Sequence, residues 1–242
     1  MTDDRLIAIG VDGARAGWVG ACLYEGGRTE LRLFADVWEL AAFRGRAAVA
    51  IDVPIGLLET VAFRRCDVEA RRRLGGRASC VFAPPARYML TAAGDYAAIR
   101  RLVDERRRAE PAAKSLSAQA AGIAPKVAEV DAFVRARPAS EGWLWECHPE
   151  LCFAALAGGD ALAAPKRSAD GRARRLALVR ERFPDAPERI AAAPWRAPDA
   201  TTADALDAYA ALTTALRCAR GEQHELGGGE RDDDGVLMRI AV

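Results

Sequence analysis

The sequence predicts a mixed α/β fold, and three observations carry that prediction. Two short apolar runs, Leu6-Ile-Ala-Ile-Gly-Val-Asp-Gly13 and Ala47-Ala-Val-Ala-Ile-Asp-Val-Pro-Ile-Gly56, each deliver one carboxylate and then break. Residues 17–34 read as an antiparallel meander, and most of the chain beyond residue 60 has helical periodicity. At 242 residues the chain is long enough for one large domain with an ample core.

Apolar runs bounded by glycine read as buried strands. An acid at the end of such a strand sits at the sheet rim, where it can hold a metal or a phosphate-bearing ligand, which makes Asp12 and Asp52 the first candidates. Between them, residues 17–24 form a second strand, Glu25-Gly-Gly-Arg28 a turn and residues 30–34 a third strand. Asp36 is placed to cap a short helix through Phe43, with Trp38, Leu40 and Ala41 as its apolar face. The predicted order is three strands, a helix and a fourth strand.

Residues 59–140 differ in character. Arg-rich helical stretches at 61–74, 96–108 and 126–134 are separated by polar and Pro-containing connections, and residues 62–108 hold twelve Arg against five acids. No Ser/Gly linker isolates this region, so it reads as an insertion within a single domain spanning residues 1–242. Gly142-Trp-Leu-Trp-Glu146 returns to strand character and ends in an acid, followed by His148 and a helix over 150–157. A basic helix is expected over 172–182, a Pro-containing loop over 191–202, a helix over 203–217 capped by Thr201 or Thr202, and a closing strand over 235–242.

Composition excludes several classes. The net charge of +1 gives no global field toward nucleic acid or membrane. The start, Met1-Thr-Asp-Asp, is acidic and unlike a secretory signal, and no apolar run approaches the roughly 18 residues of a membrane helix. Six cysteines without a CxxC pair read as reduced thiols of a cytoplasmic protein. Glu146-Cys147-His148 with Cys152 lacks the spacing of a zinc site.

Carboxylates therefore stand at defined element ends: Asp12, Asp52, Glu146, and the pair Asp204 and Asp207, three apart on one helix face. Hard divalent ions such as Mg2+ or Mn2+ take oxygen ligands, one or two carboxylates together with substrate phosphates, and a pair of them serves phosphoryl displacement. His148 beside Glu146 suits a proton shuttle, or simply orders the turn before Pro149. Arg77, Ser79, Arg87 and Lys126 are the candidates for substrate contact, since guanidinium and ammonium groups match phosphate oxygens.

The order of elements, with an acid on strands one and four and on a late helix, resembles the ribonuclease H-like fold, a mixed sheet flanked by helices. Gly10-Val-Asp-Gly13 with Gly17-Trp-Val19, Ile51-Asp-Val-Pro-Ile-Gly56, Arg65-Cys-Asp67, Arg77-Ala-Ser-Cys-Val-Phe82, Pro125-Lys126 with Glu129-Val-Asp131, Glu146-Cys-His-Pro-Glu150, Lys166-Arg-Ser168 and Asp204-Ala-Leu-Asp-Ala208 resemble the domain-of-unknown-function family 429. Its members are described as predicted nucleases of that fold. The resemblance implies a Mg2+- or Mn2+-dependent hydrolase acting on nucleic acid. Asp12, Asp52 and Asp204/Asp207 would be its metal ligands, and Glu146 a further one. The family's late helix opens with two adjacent acids, of which the first is here Ala203.

Two other readings stay open. The same fold could serve as a non-catalytic module binding a nucleotide, nucleic acid or protein. Gly10-Val-Asp-Gly13 is also similar to a phosphate loop of the actin-like sugar kinases, but a second core copy and a Gly-rich adenosine loop are both missing, which leaves small-molecule phosphotransfer a minor alternative.

Overall fold

The computed structural model describes residues 5–242; the acidic start at residues 1–4, and the reading made of it, lie outside them. A five-stranded sheet with order β3-β2-β1-β4-β5 organises the chain. Its strands are β1 (Leu6–Ala14), β2 (Gly17–Tyr24), β3 (Thr29–Phe34), β4 (Ala48–Ile51) and β5 (Leu144–Glu146). β2 runs antiparallel to both of its neighbours, whereas β1, β4 and β5 are parallel. The meander is as the sequence predicts, with Gly26 and Gly27 at positive φ in its tight turn.

Strand periodicity separates two cores. Ala8, Ala14, Val19, Ala21 and Ala50 face one layer, while Ile9, Val11, Trp18, Cys22, Val49 and Ile51 face the other. On the first face lies α7 (Thr202–Arg220), flanked by α4 (Pro149–Leu156), α5 (Ala169–Arg182) and α6 (Ala186–Ala191). On the second lie the 3-10 helix Val37–Phe43, capped by Asp36 through Trp38 and Glu39 N–H, and α3 (Ala118–Ala136).

The first face is built of small residues, so α7 approaches β1 closely. A Cβ at Gly10 would stand 2.0 Å from the Leu212 nitrogen and 2.1 Å from the Ala208 carbonyl oxygen. Gly10 is therefore the contact that seats the helix, and Asp12, two residues on, faces the same layer.

The Arg-rich region contributes α1 (Arg65–Leu74), α2 (Tyr96–Ala109) and α3, and a small core of its own around Met89, Ile99 and Ala120. Four boundaries differ from expectation. α3 starts at Ala118, capped by Ser117, and passes through Pro125, where the sequence suggests a start at Lys126. α6 occupies residues ahead of the expected 191–202 loop, too short for periodicity to register. β1 continues to Ala14, so Asp12 lies inside the strand and not at its tip. The closing strand shrinks to β7 (Ile240–Ala241), paired with β6 (Glu225–Leu226), because the segment before it folds back on itself through the Arg231–Leu237 bridge and the Asp232 side chain. Among the described residues no helix is long and apolar enough to cross a membrane.

Candidate functional site

The three parallel strands end on one edge of the sheet. Asp12 near the end of β1, Asp52 directly after β4 and His148 after β5 are delivered there by backbone pairing, with Asp52 N–H bonded to the Val11 carbonyl and Cys147 N–H to the Ile51 carbonyl. The close seating of α7 adds Asp207, which is buried. A cavity of about 460 Å³ opens beside Asp52, walled by the core on one side and by residues of the Arg-rich insertion on the other.

Crowding of carboxyls sets the electrostatics. Burial, then the charges of Asp207, Asp52 and Asp204, hold the Asp12 carboxyl well above the usual range. Burial also raises Asp52, against the lowering effects of His148, Lys166 and a carboxyl–carboxyl hydrogen bond to Asp12. Asp207 is pushed by burial to about 6, with Lys166 opposing the shift and Asp52 adding to it. The Asp12–Asp52 pair thus shares a proton.

Lys166 supplies the balancing charge. Its Nζ donates to Asp207 Oδ2 at 3.0 Å, and the surrounding acids raise its own pKa. The loop that carries it is pinned to α5: Ser168 Oγ caps Gly171 N–H at 3.0 Å and donates to the Pro165 carbonyl at 2.8 Å. Arg175 donates to the Ala164 carbonyl at 3.2 Å and closes a buried bidentate pair with Glu150 at 2.7 and 2.9 Å. Gly171 is needed here, since a Cβ would fall 1.9 Å from the Pro165 carbonyl oxygen.

The other expected residues divide. Asp204 belongs to the capping box of α7, accepting from Thr201 N–H at 2.8 Å, and reaches Asp12 only through its charge. Glu146 stands apart from the Asp cluster. Its oxygens accept from Arg64 at 2.6 and 2.8 Å and from Ile55 N–H at 2.7 Å, and Arg64 also binds Asp67 at 2.7 Å. Burial lifts the Glu146 carboxyl to about 7 despite that arginine. His148 caps α4 by accepting from Glu150 N–H at Nδ1, 3.2 Å, with Nε2 3.4 Å from the Cys80 carbonyl. The neutral Nε2–H tautomer satisfies both contacts.

Of the expected substrate contacts, Arg77 lines the cavity and Ser79 is exposed beside it. Arg87 instead binds Asp131, Asp232 and Asp234, tying the insertion to the C-terminal segment. Lys126 lies over the Trp18 ring at 4.4 Å and 3.7 Å from Glu129, and burial lowers its pKa.

The family described as protein of unknown function (DUF429) matches the chain over residues 10–231. The chain belongs to that family. No curated protein and no solved structure matches it.

In this DUF429 chain, among the described residues, no three His, Cys, Asp or Glu side chains come together as a group that could hold a metal ion. What the fold does bring within electrostatic reach of one another is Asp12, Asp52 and Asp207, with Lys166 bonded to Asp207. Sequence reasoning passed over Lys166, although a signal was present: it is one of three lysines in a chain whose remaining cationic side chains are Arg, and it opens the Lys166-Arg-Ser168 motif.

Proposed function

We propose that this DUF429 protein is a metal-dependent phosphodiesterase acting on nucleic acid, built on a ribonuclease H-like fold. The observation that carries the reading is the convergence of Asp12, Asp52 and Asp207 on one sheet edge, with a single lysine balancing them. Carboxyls raised by burial and by one another's charge favour a cation that would enter among them. The sheet order β3-β2-β1-β4-β5, with β2 alone antiparallel, agrees with that fold.

The donor chemistry fits a hard divalent ion. Asp12 and Asp52 would hold Mg2+ or Mn2+, and two carboxylates completed by substrate phosphate are the usual protein share of a Mg2+ site. Bound there, the ion supplies charge stabilisation at the phosphoryl oxygens and a water of lowered pKa. Lys166 fixes Asp207 and presents its remaining N–H groups toward the cavity that it lines. His148, in the same wall, can offer its Nε2–H as a hydrogen-bond donor to a leaving oxygen. Glu146, held by Arg64, has no part in this reading.

Titration of Mn2+ by calorimetry, with a nucleoside monophosphate present, tests it in the wild type and in the Asp12→Asn/Asp52→Asn variant. Binding should vanish in the variant along with Mn2+-dependent cleavage of oligonucleotides. Because a shared proton must leave, affinity should rise with pH. Cleavage that survives Asp12→Asn would overturn the mechanism.

One observation favours a second reading, a non-catalytic nucleotide-binding module: the Lys166 ammonium already sits on Asp207. In that case nucleotide binding should persist at full strength with a chelator present, and no oligonucleotide should be cut.

A further inference from the structure

The cavity beside Asp52 has a second chemistry that the carboxyl cluster does not use. Arg77, on the insertion side, has its Nε buried without a hydrogen-bond partner among the described residues. Its contact with Glu150 is long, 3.7 Å, and that carboxylate is already taken by Arg175 in a bidentate pair at 2.7 and 2.9 Å. The Arg77 guanidinium, partly exposed and without a short hydrogen bond among the described residues, is left able to meet an anion in the cavity. Lys166, whose ammonium also serves Asp207, and the exposed Arg167 add two more cations to a wall that also carries Asp52 and Glu150. Three cationic side chains around one opening are a seat for a phosphate.

The same cavity has an apolar and amide lining suited to a base. Phe82 is half-buried in its wall and Gln119, on the first turn of α3, stands exposed at its rim with both amide groups free of hydrogen-bond partners among the described residues. An aromatic face takes a base by stacking, worth about 1–3 kcal/mol per base.

Size then decides what kind of nucleic acid fits. At about 460 Å³ the opening falls in the range of small-molecule clefts, about 300–1,000 Å³. A duplex reader presents on the order of 1,000–2,500 Å² of surface. The insertion supplies Arg77 and Phe82 to the wall of this cavity.

We infer that the Arg77–Phe82 pocket takes a single phosphorylated nucleoside, so that the protein engages a strand terminus or a free nucleotide and not the interior of a duplex. The nucleic-acid identity of the ligand rests on the function proposed above; the anion seat itself does not.

The test is competition for a fluorescent single-stranded oligonucleotide carrying a 5′-phosphate, followed by anisotropy with the full chain. Adenosine 5′-monophosphate should displace it, inorganic phosphate should do so more weakly, and a closed dumbbell duplex without ends should not. Arg77→Gln should weaken the monophosphate by about 10-fold or more, the loss expected for a charge-assisted hydrogen bond. Phe82→Ala should weaken the monophosphate but leave inorganic phosphate unchanged. Circular dichroism checks the fold of each variant, and Arg167→Gln, at an exposed position, serves if Arg77→Gln does not fold. Equal binding of dumbbell and open strand, or monophosphate affinity indifferent to these substitutions, overturns the inference. Monophosphate binding without any cleavage would instead remove the proposed activity and leave the pocket standing, whereas cleavage inside the dumbbell would do the reverse.

Discussion

Lys166 Nζ lies 3.0 Å from Asp207 Oδ2, and its charge opposes the upward shift of Asp207, Asp12 and Asp52 alike. One cation thus serves three buried or half-buried carboxyls, and the imbalance is held in place by the packing of α7 on β1. Such an arrangement lowers stability for the sake of a charged site, and its consequences can be measured.

Asp12→Asn should stabilise the protein at neutral and higher pH. A carboxyl raised in the fold binds its proton there before the unfolded chain does. Asp207, at about 6 in the fold, thus favours folding below its unfolded value near 4. That contribution is lost as pH rises through about 6, and Asp12, shifted upward too, loses its own as pH rises through its raised value. Removing the Asp12 charge relieves the repulsion, so the variant should melt higher than the wild type at about pH 8, by about 2–4 °C per kcal/mol. The gap should narrow toward about pH 5, below the raised value of Asp207. Calorimetric scans at both pH values check this, and an Asn variant less stable than wild type at the higher pH would show that the repulsion is absent.

Arg64→Met should be severe and Glu146→Gln mild. Arg64 is fully buried between Asp67 and Glu146, so its loss strands two carboxylates in the core, for which about 3–5 kcal/mol is the usual scale. Burial lifts the Glu146 carboxyl to about 7, so its charge is weakly held, and a glutamine keeps an acceptor for Arg64. Urea denaturation should separate the two variants clearly. Mn2+ titration of Glu146→Gln should match the wild type, because this carboxylate serves Arg64 and not the Asp cluster.

How far the sequence revealed this architecture depends on which signals are local. Alternation in residues 6–34 marks strands whose partners are close in sequence, and the apolar run before Asp52 marks a strand by its own composition, so both were readable. The family was readable too, through motifs spread over nearly the whole chain. Partner choice among charged side chains was not. Glu146 and Asp52 both follow apolar strands, yet one meets Arg64 from the loop before α1 and the other meets Asp12. Only the three-dimensional path of the insertion decides that. Arg87 looked equivalent to Arg77 until Asp232 and Asp234, nearly 150 residues away, claimed it.

Arg87→Met should loosen the C-terminal segment without touching ligand binding. Asp232 accepts from Leu57 N–H at 2.9 Å and Val236 N–H at 2.9 Å, so this aspartate clamps the segment onto the core while Arg87 neutralises it. Removing the guanidinium leaves Asp232 without a cation among the described residues, with Asp131 and Asp234 held only by Arg135. Limited proteolysis should then cut within residues 227–239, where the wild type resists, while monophosphate affinity stays unchanged. A loss of affinity with an intact segment would return Arg87 to the role of a substrate contact.

Gly10→Ala should damage the site without removing any functional group. The added methyl would meet backbone atoms of Leu212 and Ala208, which have no flexible end to move aside, so α7 must lift from β1. Overpacking of this kind commonly costs about 1–3 kcal/mol and here involves a whole helix. Because Asp207 rides on that helix and Asp12 on the strand beneath it, the distance between the two carboxyls should grow. Melting temperature and Mn2+ affinity, measured on the same preparation with nucleoside monophosphate present, should therefore fall together. A variant that loses stability but titrates Mn2+ like the wild type would show that ion binding needs only the Asp12–Asp52 pair and not the close seating of α7.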